Sequence, residues 1–250
     1  MPQGFPSDTE LIRLAEVAAH CLAEAKPQPL RLATQRKLVP RWKRVLDVLC
    51  ILVASPLLAL VGLLIATAIK LLSRGPVFFR QERIGLLGKP FMCLKFRTML
   101  VNADTSVHRG HLTELIHAKS PMTKLDAKGD PRLIPGGLWL RSFGLDELPQ
   151  VINVLRGEMS MVGPRPCLPY EFEVYEAWHR QRCATLPGLT GFWQVNGKNR
   201  TTFEEMVKMD LHYVKHKSLA LDVWIITKTI PAILGQVYDV KIRRRNINVS

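Results

Sequence analysis

The hydropathy pattern of the chain is dominated by one run without charge, Val48 to Ile69. As a helix rising ~1.5 Å per residue, it would extend roughly 33 Å, the thickness of a bilayer core. Two features argue against a simple span. Ser55-Pro56 falls in its first half, and proline removes a backbone donor and kinks or breaks a helix. Both flanks are also basic: Arg41, Lys43 and Arg44 lead in, and Lys70 and Arg74 lead out. Lys and Arg favour the cytoplasmic side, so both ends are expected there. The pattern therefore predicts a re-entrant helix hairpin over residues 41–74, broken at Ser55-Pro56 and dipping into one leaflet. The Ser55 hydroxyl is expected on a carbonyl freed by the proline, and Asp47 at headgroup depth. A kinked transmembrane helix and a buried core helix are the alternatives.

On either side the pattern changes. Residues 1–40 are punctuated by prolines and hold one helical stripe, Leu11, Leu14, Ala18 and Leu22, so they read as an N-terminal extension. Beyond Gly75 the chain takes on the texture of a soluble domain, residues 75–235. Val77 to Arg80 and Phe91 to Lys95 read as short strands joined through Gly85-Leu-Leu-Gly88. Residues 102–129 read as a helix plus a polar surface loop. Helices are expected from Pro149 to near Gly157, over Glu171 to Arg182 with Phe172, Tyr175 and Trp178 on one face, and over Phe203 to His216. Leu219 to Leu234 is apolar but interrupted by Pro231, and is expected in the membrane interface with Trp224 as an anchor. Residues 236–250 form a basic C-terminal tail. The fold class is α+β, mostly helical: a membrane hairpin, then a small cytosolic domain with short strands and interfacial amphipathic helices.

Charge narrows the partners. The chain has 35 Lys and Arg against 21 Asp and Glu, a net +14, which favours anionic lipid, phosphorylated substrates or nucleic acid. Nucleic acid is disfavoured by the apolar run and by an aromatic content of only 7%, too little for a base-stacking surface. Five scattered cysteines without a CxxC pair argue against a structural zinc site and a disulfide framework, and suit a reducing compartment. The first twenty residues have no long apolar stretch, so no secretory signal is expected. His212 and His216 share a helix face, but without a third ligand nearby they read as a solvated surface.

Candidate chemistry clusters between residues 130 and 200. Asp146-Glu147 follows Arg141 and precedes Pro149, in the manner of a helix start. Adjacent side chains on a helix diverge by about 100°, so the two carboxylates suit two different jobs. One can attack an electrophile while the other holds a divalent cation. Gly163-Pro164-Arg165-Pro166 fixes the backbone around one guanidinium, a group suited to phosphate oxygens. Pro187 to Gly197 combines turn glycines with Thr190, Trp193, Gln194 and Asn196, which suits either a base or sugar pocket or a packed loop.

Taken with Gly75-Pro76, Gln81-Glu82-Arg83-Ile84-Gly85, Lys95-Phe96-Arg97-Thr98-Met99, Asp130-Pro131-Arg132, Leu145-Asp146-Glu147-Leu148-Pro149-Gln150 and Pro187-Gly188-Leu189-Thr190-Gly191, these stretches resemble the bacterial sugar transferase family, the monotopic phosphoglycosyl transferases. The resemblance runs from about Arg41 to Leu234. It implies transfer of a sugar 1-phosphate from a UDP-sugar to polyprenyl (undecaprenyl) phosphate, with release of UMP, as the initiating step of exopolysaccharide, O-antigen or other glycoconjugate assembly. It further implies that Asp146 is a nucleophile forming a covalent phosphosugar aspartate, that Glu147 binds Mg2+, and that Arg165, between Pro164 and Pro166, holds phosphate. Arg141, Lys95 and Arg97 would neutralise further phosphate charge. The implied place is the cytoplasmic face of the bacterial inner membrane, among its lipids, with downstream glycosyltransferases as partners and a homodimer left open. Three positions depart from the family pattern: Ile134 and Pro135 replace Thr and a basic or polar residue, and Gly144 replaces a small hydroxyl residue. A non-catalytic membrane scaffold and a nucleic-acid-binding protein are the competing readings.

Overall fold

A computed structural model describes residues 39–101, 121–122, 132–198 and 200–247, with side chains described to residue 235. Expectations for residues 1–38, 102–120 and 123–131, including Asp130-Pro131, lie outside the described residues.

Helix α1, Arg41–Leu72, is 32 residues long. It is helical throughout, with Pro56 inside it, and no residue leaves the helix at Ser55-Pro56 to divide it into two elements. Proline leaves the Leu52 carbonyl without its usual donor, and Ser55 Oγ donates to that oxygen at 2.8 Å, as expected from the sequence. One stripe of α1 faces protein: Lys43, Asp47, Ile51, Ala54, Leu58, Val61, Ile65 and Ile69 are buried or half-buried at helical spacing. The remaining circumference is exposed and apolar, including Leu52, Val53, Leu57, Leu60, Leu63 and Leu64.

The polar lead-in of α1 is not a solvent-facing flank. Lys43 is buried and donates to the Tyr213 hydroxyl at 2.8 Å and to Asp222. Tyr213 in turn donates to Asp222 at 2.7 Å. Arg44 donates to the carbonyls of Val154 and Leu155, at the open end of another helix. Asp47 is buried in protein and accepts from Ser160 Oγ and the Met161 amide, both at 2.8 Å. These groups turn inward because they bind the domain that α1 carries.

That domain starts with an antiparallel hairpin, β1 (Phe78–Ile84) and β2 (Pro90–Phe96), paired from Phe78 opposite Phe96 to Ile84 opposite Pro90. A 3-10 turn, Leu86–Gly88, joins them. The strands are longer than the sequence reading but stand where it placed them. Short helix α2 (Gly137–Ser142) leads through Gly144 into a 3-10 turn at Leu145–Glu147, then helix α3 (Gln150–Arg156). Glycine suits position 144, whose φ is +69°. Strand β3 (Ser160–Val162) pairs in parallel with β4 (Gly188–Thr190). The two backbones come so close that a Cβ on Gly188 would stand 2.1 Å from the Gly163 nitrogen.

The continuous helix expected over 171–182 is instead three pieces: α4 (Pro169–Glu173), α5 (Ala177–Arg180) and a 3-10 turn at Gln181–Ala184. The Arg180 guanidinium folds back on the carbonyls of Tyr175 and Glu173, across the break between α4 and α5. Short helix α6 (Phe192–Asn196) precedes α7 (Phe203–His216), whose bounds match the sequence reading. Thr202 and Glu205 cap α7 reciprocally. Helix α8, Leu219–Ile247, passes through Pro231 and takes in most of what the sequence reading set apart as a tail.

Three apolar clusters pin these parts together. Ile51 packs with Cys93, Val154 and Met159. Ile65 and Ile69 pack with Phe96 and Ile134. Val162, Tyr213 and Ile225 join β3 to α7 and α8. Both halves of α1 therefore rest on the same domain.

Candidate active site

Asp146 and Glu147 occupy the 3-10 turn ahead of α3, with Asp146 9% exposed. Glu147 Oε1 lies 2.7 Å from Lys95 Nζ on β2 and 3.6 Å from Arg165 Nη1. Burial alone would raise the Glu147 carboxyl, but Lys95, Arg165 and Lys198 outweigh it and hold the group well below the usual carboxylate range. Glu147 is thus ionised at neutral pH, within a ring of cations from three parts of the chain. A quarter of its side chain, and a third of Arg165's, remain open to solvent.

Arg165 is presented by an unusually constrained loop. Pro164 and Pro166 have no N–H to donate, so the loop is tied through its carbonyls. Those of four consecutive residues are occupied. The Gly188 amide donates to Pro164 O at 2.9 Å, Arg182 Nη2 to Arg165 O at 3.2 Å, Arg83 Nη1 to Pro166 O at 2.9 Å, and the Ile84 amide to Cys167 O at 2.9 Å. The backbone under Arg165 is pre-organised, and its guanidinium points away toward Glu147.

Lys95 and Arg165, both marked in the sequence, stand beside Glu147 of the Asp146-Glu147 pair. Arg97 is elsewhere: it is buried and donates to the carbonyls of Arg74 at 2.6 Å and Ser73 at 3.0 Å, at the end of α1. A Cβ on Gly75 would lie 2.6 Å from Arg97 Nη1, which explains a glycine there. Arg141 stands in the last turn of α2, one short loop before the pair. Ser55 and Pro56 are on the exposed side of α1. Lys198 was not singled out, because a lone lysine after Asn196-Gly197 gives no local signal. Arg182 was missed because nothing in its neighbourhood marks a buried arginine.

The arrangement combines a shielded carboxylate, a second carboxylate held ionised, and at least three cations. That set suits a reaction on a phosphoanhydride, where cations draw charge off phosphate and let a carboxylate approach. Among the described residues no three His, Cys, Asp or Glu side chains gather as a metal cage. One ionised Glu beside Asp146 fits Mg2+ only in the mode in which substrate phosphates and water complete the shell.

The pattern of the bacterial sugar transferase family matches residues 38–236. The exopolysaccharide production protein ExoY of Sinorhizobium fredii is 40% identical over 191 residues, which is 76% of this chain and 84% of that protein. The UDP-glucose:undecaprenyl-phosphate glucose-1-phosphate transferase of Caulobacter vibrioides is 39% identical over 200 residues, 77% of this chain and 69% of that protein. The undecaprenyl-phosphate galactose phosphotransferase of Salmonella typhimurium is 36% identical over 202 residues, covering 77% of this chain and 40% of that protein. With its carboxylate pair, its Pro-Arg-Pro loop and these relatives, the chain belongs to the bacterial sugar transferase family.

Proposed function

We propose that this transferase moves a sugar 1-phosphate from a UDP-sugar to undecaprenyl phosphate, through a covalent aspartyl intermediate, and so initiates exopolysaccharide or related glycan assembly. The observation that carries the reading is the buried Asp146 next to a Glu147 held ionised by Lys95, Arg165 and Lys198. In the first step an Asp146 carboxylate oxygen bonds to the phosphorus bearing the sugar. The bond from that phosphorus to the bridging oxygen breaks, and UMP leaves with the electron pair. In the second step an oxygen of undecaprenyl phosphate attacks the same phosphorus. The acyl–phosphate bond breaks, Asp146 is restored, and the lipid carries a diphosphate sugar. Arg165 and Lys95 bind phosphate oxygens and limit repulsion between Asp146 and the anionic donor. Glu147 would hold Mg2+, which when bound supplies further charge neutralisation on the diphosphate.

The second substrate lies in a membrane, and α1 suits that. It is long and apolar enough to cross a bilayer by length and composition. Yet residues 43–51 and 61–69 rest on one domain, which favours a helix that associates with one face of the cytoplasmic membrane and does not carry its ends to opposite sides. The catalytic turn would then work at the height of the lipid phosphate, on the cytoplasmic side where nucleotide sugars are available. The test is UMP release from a panel of UDP-sugars by detergent-solubilised protein with undecaprenyl phosphate and Mg2+. Release with at least one donor, lost on chelation of Mg2+, is expected; a fully folded protein inert to every donor speaks against the reading.

A further inference from the structure

We infer that Arg182 and Asp210 are a positioning pair for the proposed donor-binding arginine: a buried ion pair outside the site sets where Arg165 stands. This rests on the reading above, in which Arg165 binds donor phosphate. Arg182 lies in the 3-10 turn after α5 and Asp210 on α7, and both are almost fully buried. Arg182 works through the two terminal nitrogens of its guanidinium, while its Nε is buried without a partner. Nη1 donates to the Tyr175 hydroxyl at 3.1 Å, and Nη2 donates both to Asp210 and, at 3.2 Å, to the carbonyl of Arg165 itself.

The other three ties of the loop fall on Pro164, Pro166 and Cys167. Only the Arg182 bond falls on the residue whose side chain reaches Glu147. Neither neighbour of Arg165 can rotate freely, so the plane of the Arg165 peptide is the remaining variable, and Arg182 fixes it. Asp210 balances the guanidinium charge in the core and sets its orientation. Lysine cannot replace this arrangement, since one ammonium on a flexible stem does not span a hydroxyl, a carboxylate and a carbonyl in one plane.

The pair is tested by a cycle with Arg165, using full-length protein in detergent and UDP as the probe. Arg182→Lys and Asp210→Asn are each made alone and on an Arg165→Ala background. Melting temperature, UDP affinity by calorimetry, and kcat and KM for the donor are measured. Arg182→Lys is expected to weaken UDP binding and raise donor KM by about tenfold, with a smaller change in kcat. On the Arg165→Ala background the same substitution is expected to change either quantity by about twofold or less, because its effect runs through Arg165. A purely structural role gives equal losses on both backgrounds, and that result overturns the inference. If Asp210→Asn does not fold, the Arg182→Lys arm decides alone. Wild-type protein that binds no UDP would sink the reading of the site itself. Wild-type protein that binds UDP while the losses simply add would sink the positioning role and leave that reading standing.

Discussion

Helix α1 and the Pro164-Arg165-Pro166 loop lie at opposite extremes of how a backbone can be satisfied. The helix closes its own hydrogen bonds, so its surface is free to be apolar, and most of its circumference carries exposed Leu and Val. Where proline interrupts the ladder, the adjacent serine supplies the missing donor. The loop has two prolines and no ladder, and imports donors from β1, β4 and the 3-10 turn at 181–184. The helix can therefore meet a fluid, featureless solvent such as lipid. The loop holds one side chain in one direction, as a site for a specific anion requires. Only the first turns of α1 behave like the loop, through Lys43, Arg44 and Asp47.

That contrast can be broken at several points. The largest stability effect is expected at Lys43→Met, which removes the buried cation paired with the Asp222 carboxylate; loss of one partner of a buried pair costs about 3–5 kcal/mol. Thermal and denaturant melts in detergent measure it, and an unchanged midpoint would mean the helix is not moored there. A charge on the exposed apolar side of α1, Leu57→Glu, should leave the melt within about 0.5 kcal/mol but shift protein from membranes to the soluble fraction. Unaltered fractionation would show that this face does not meet lipid.

Within the site, Lys95→Met should raise the Glu147 carboxyl, since the nearest cation holding it down is gone. In the wild type the Glu147 value is depressed. Its favourable pairing is therefore complete above the ordinary carboxylate range and lost only as pH falls through the lowered value. The acidic limb of the pH–rate profile should accordingly move to higher pH in Lys95→Met, and a static limb would separate Glu147 from the rate. Ser55→Ala is expected to leave activity and fractionation unchanged and to cost only about 1 kcal/mol on the thermal melt, from leaving the Leu52 carbonyl unpaired in an apolar setting.

These regions also differ in how far they could be read from sequence. The apolar run, its proline, the hairpin strands and α7 are encoded by neighbouring residues, so pattern alone locates them. Asp146-Glu147 and Arg165 were visible as residue types at turn and helix boundaries. The partners of Lys43 and Asp47 were not legible, because a basic flank and a buried mooring have the same composition. Arg97 was misassigned for a similar reason: an arginine near phosphate and an arginine on helix-end carbonyls differ only in tertiary partners, here Ser73 and Arg74. Arg182 and Asp210 stand 28 positions apart and give no local signal. The break of 171–182 into pieces, spanned by the Arg180 side chain, is likewise not visible in the periodicity.

The central claim is that Asp146 forms a bond to the phosphosugar. Intact-protein mass spectrometry of detergent-solubilised enzyme, given a turned-over UDP-sugar and Mg2+ but no lipid acceptor, tests it directly. A mass increase equal to the sugar phosphate, mapped to Asp146, discharged by undecaprenyl phosphate and absent in Asp146→Asn, is the expected result. Full turnover by folded Asp146→Asn, or an adduct on another residue, would contradict it.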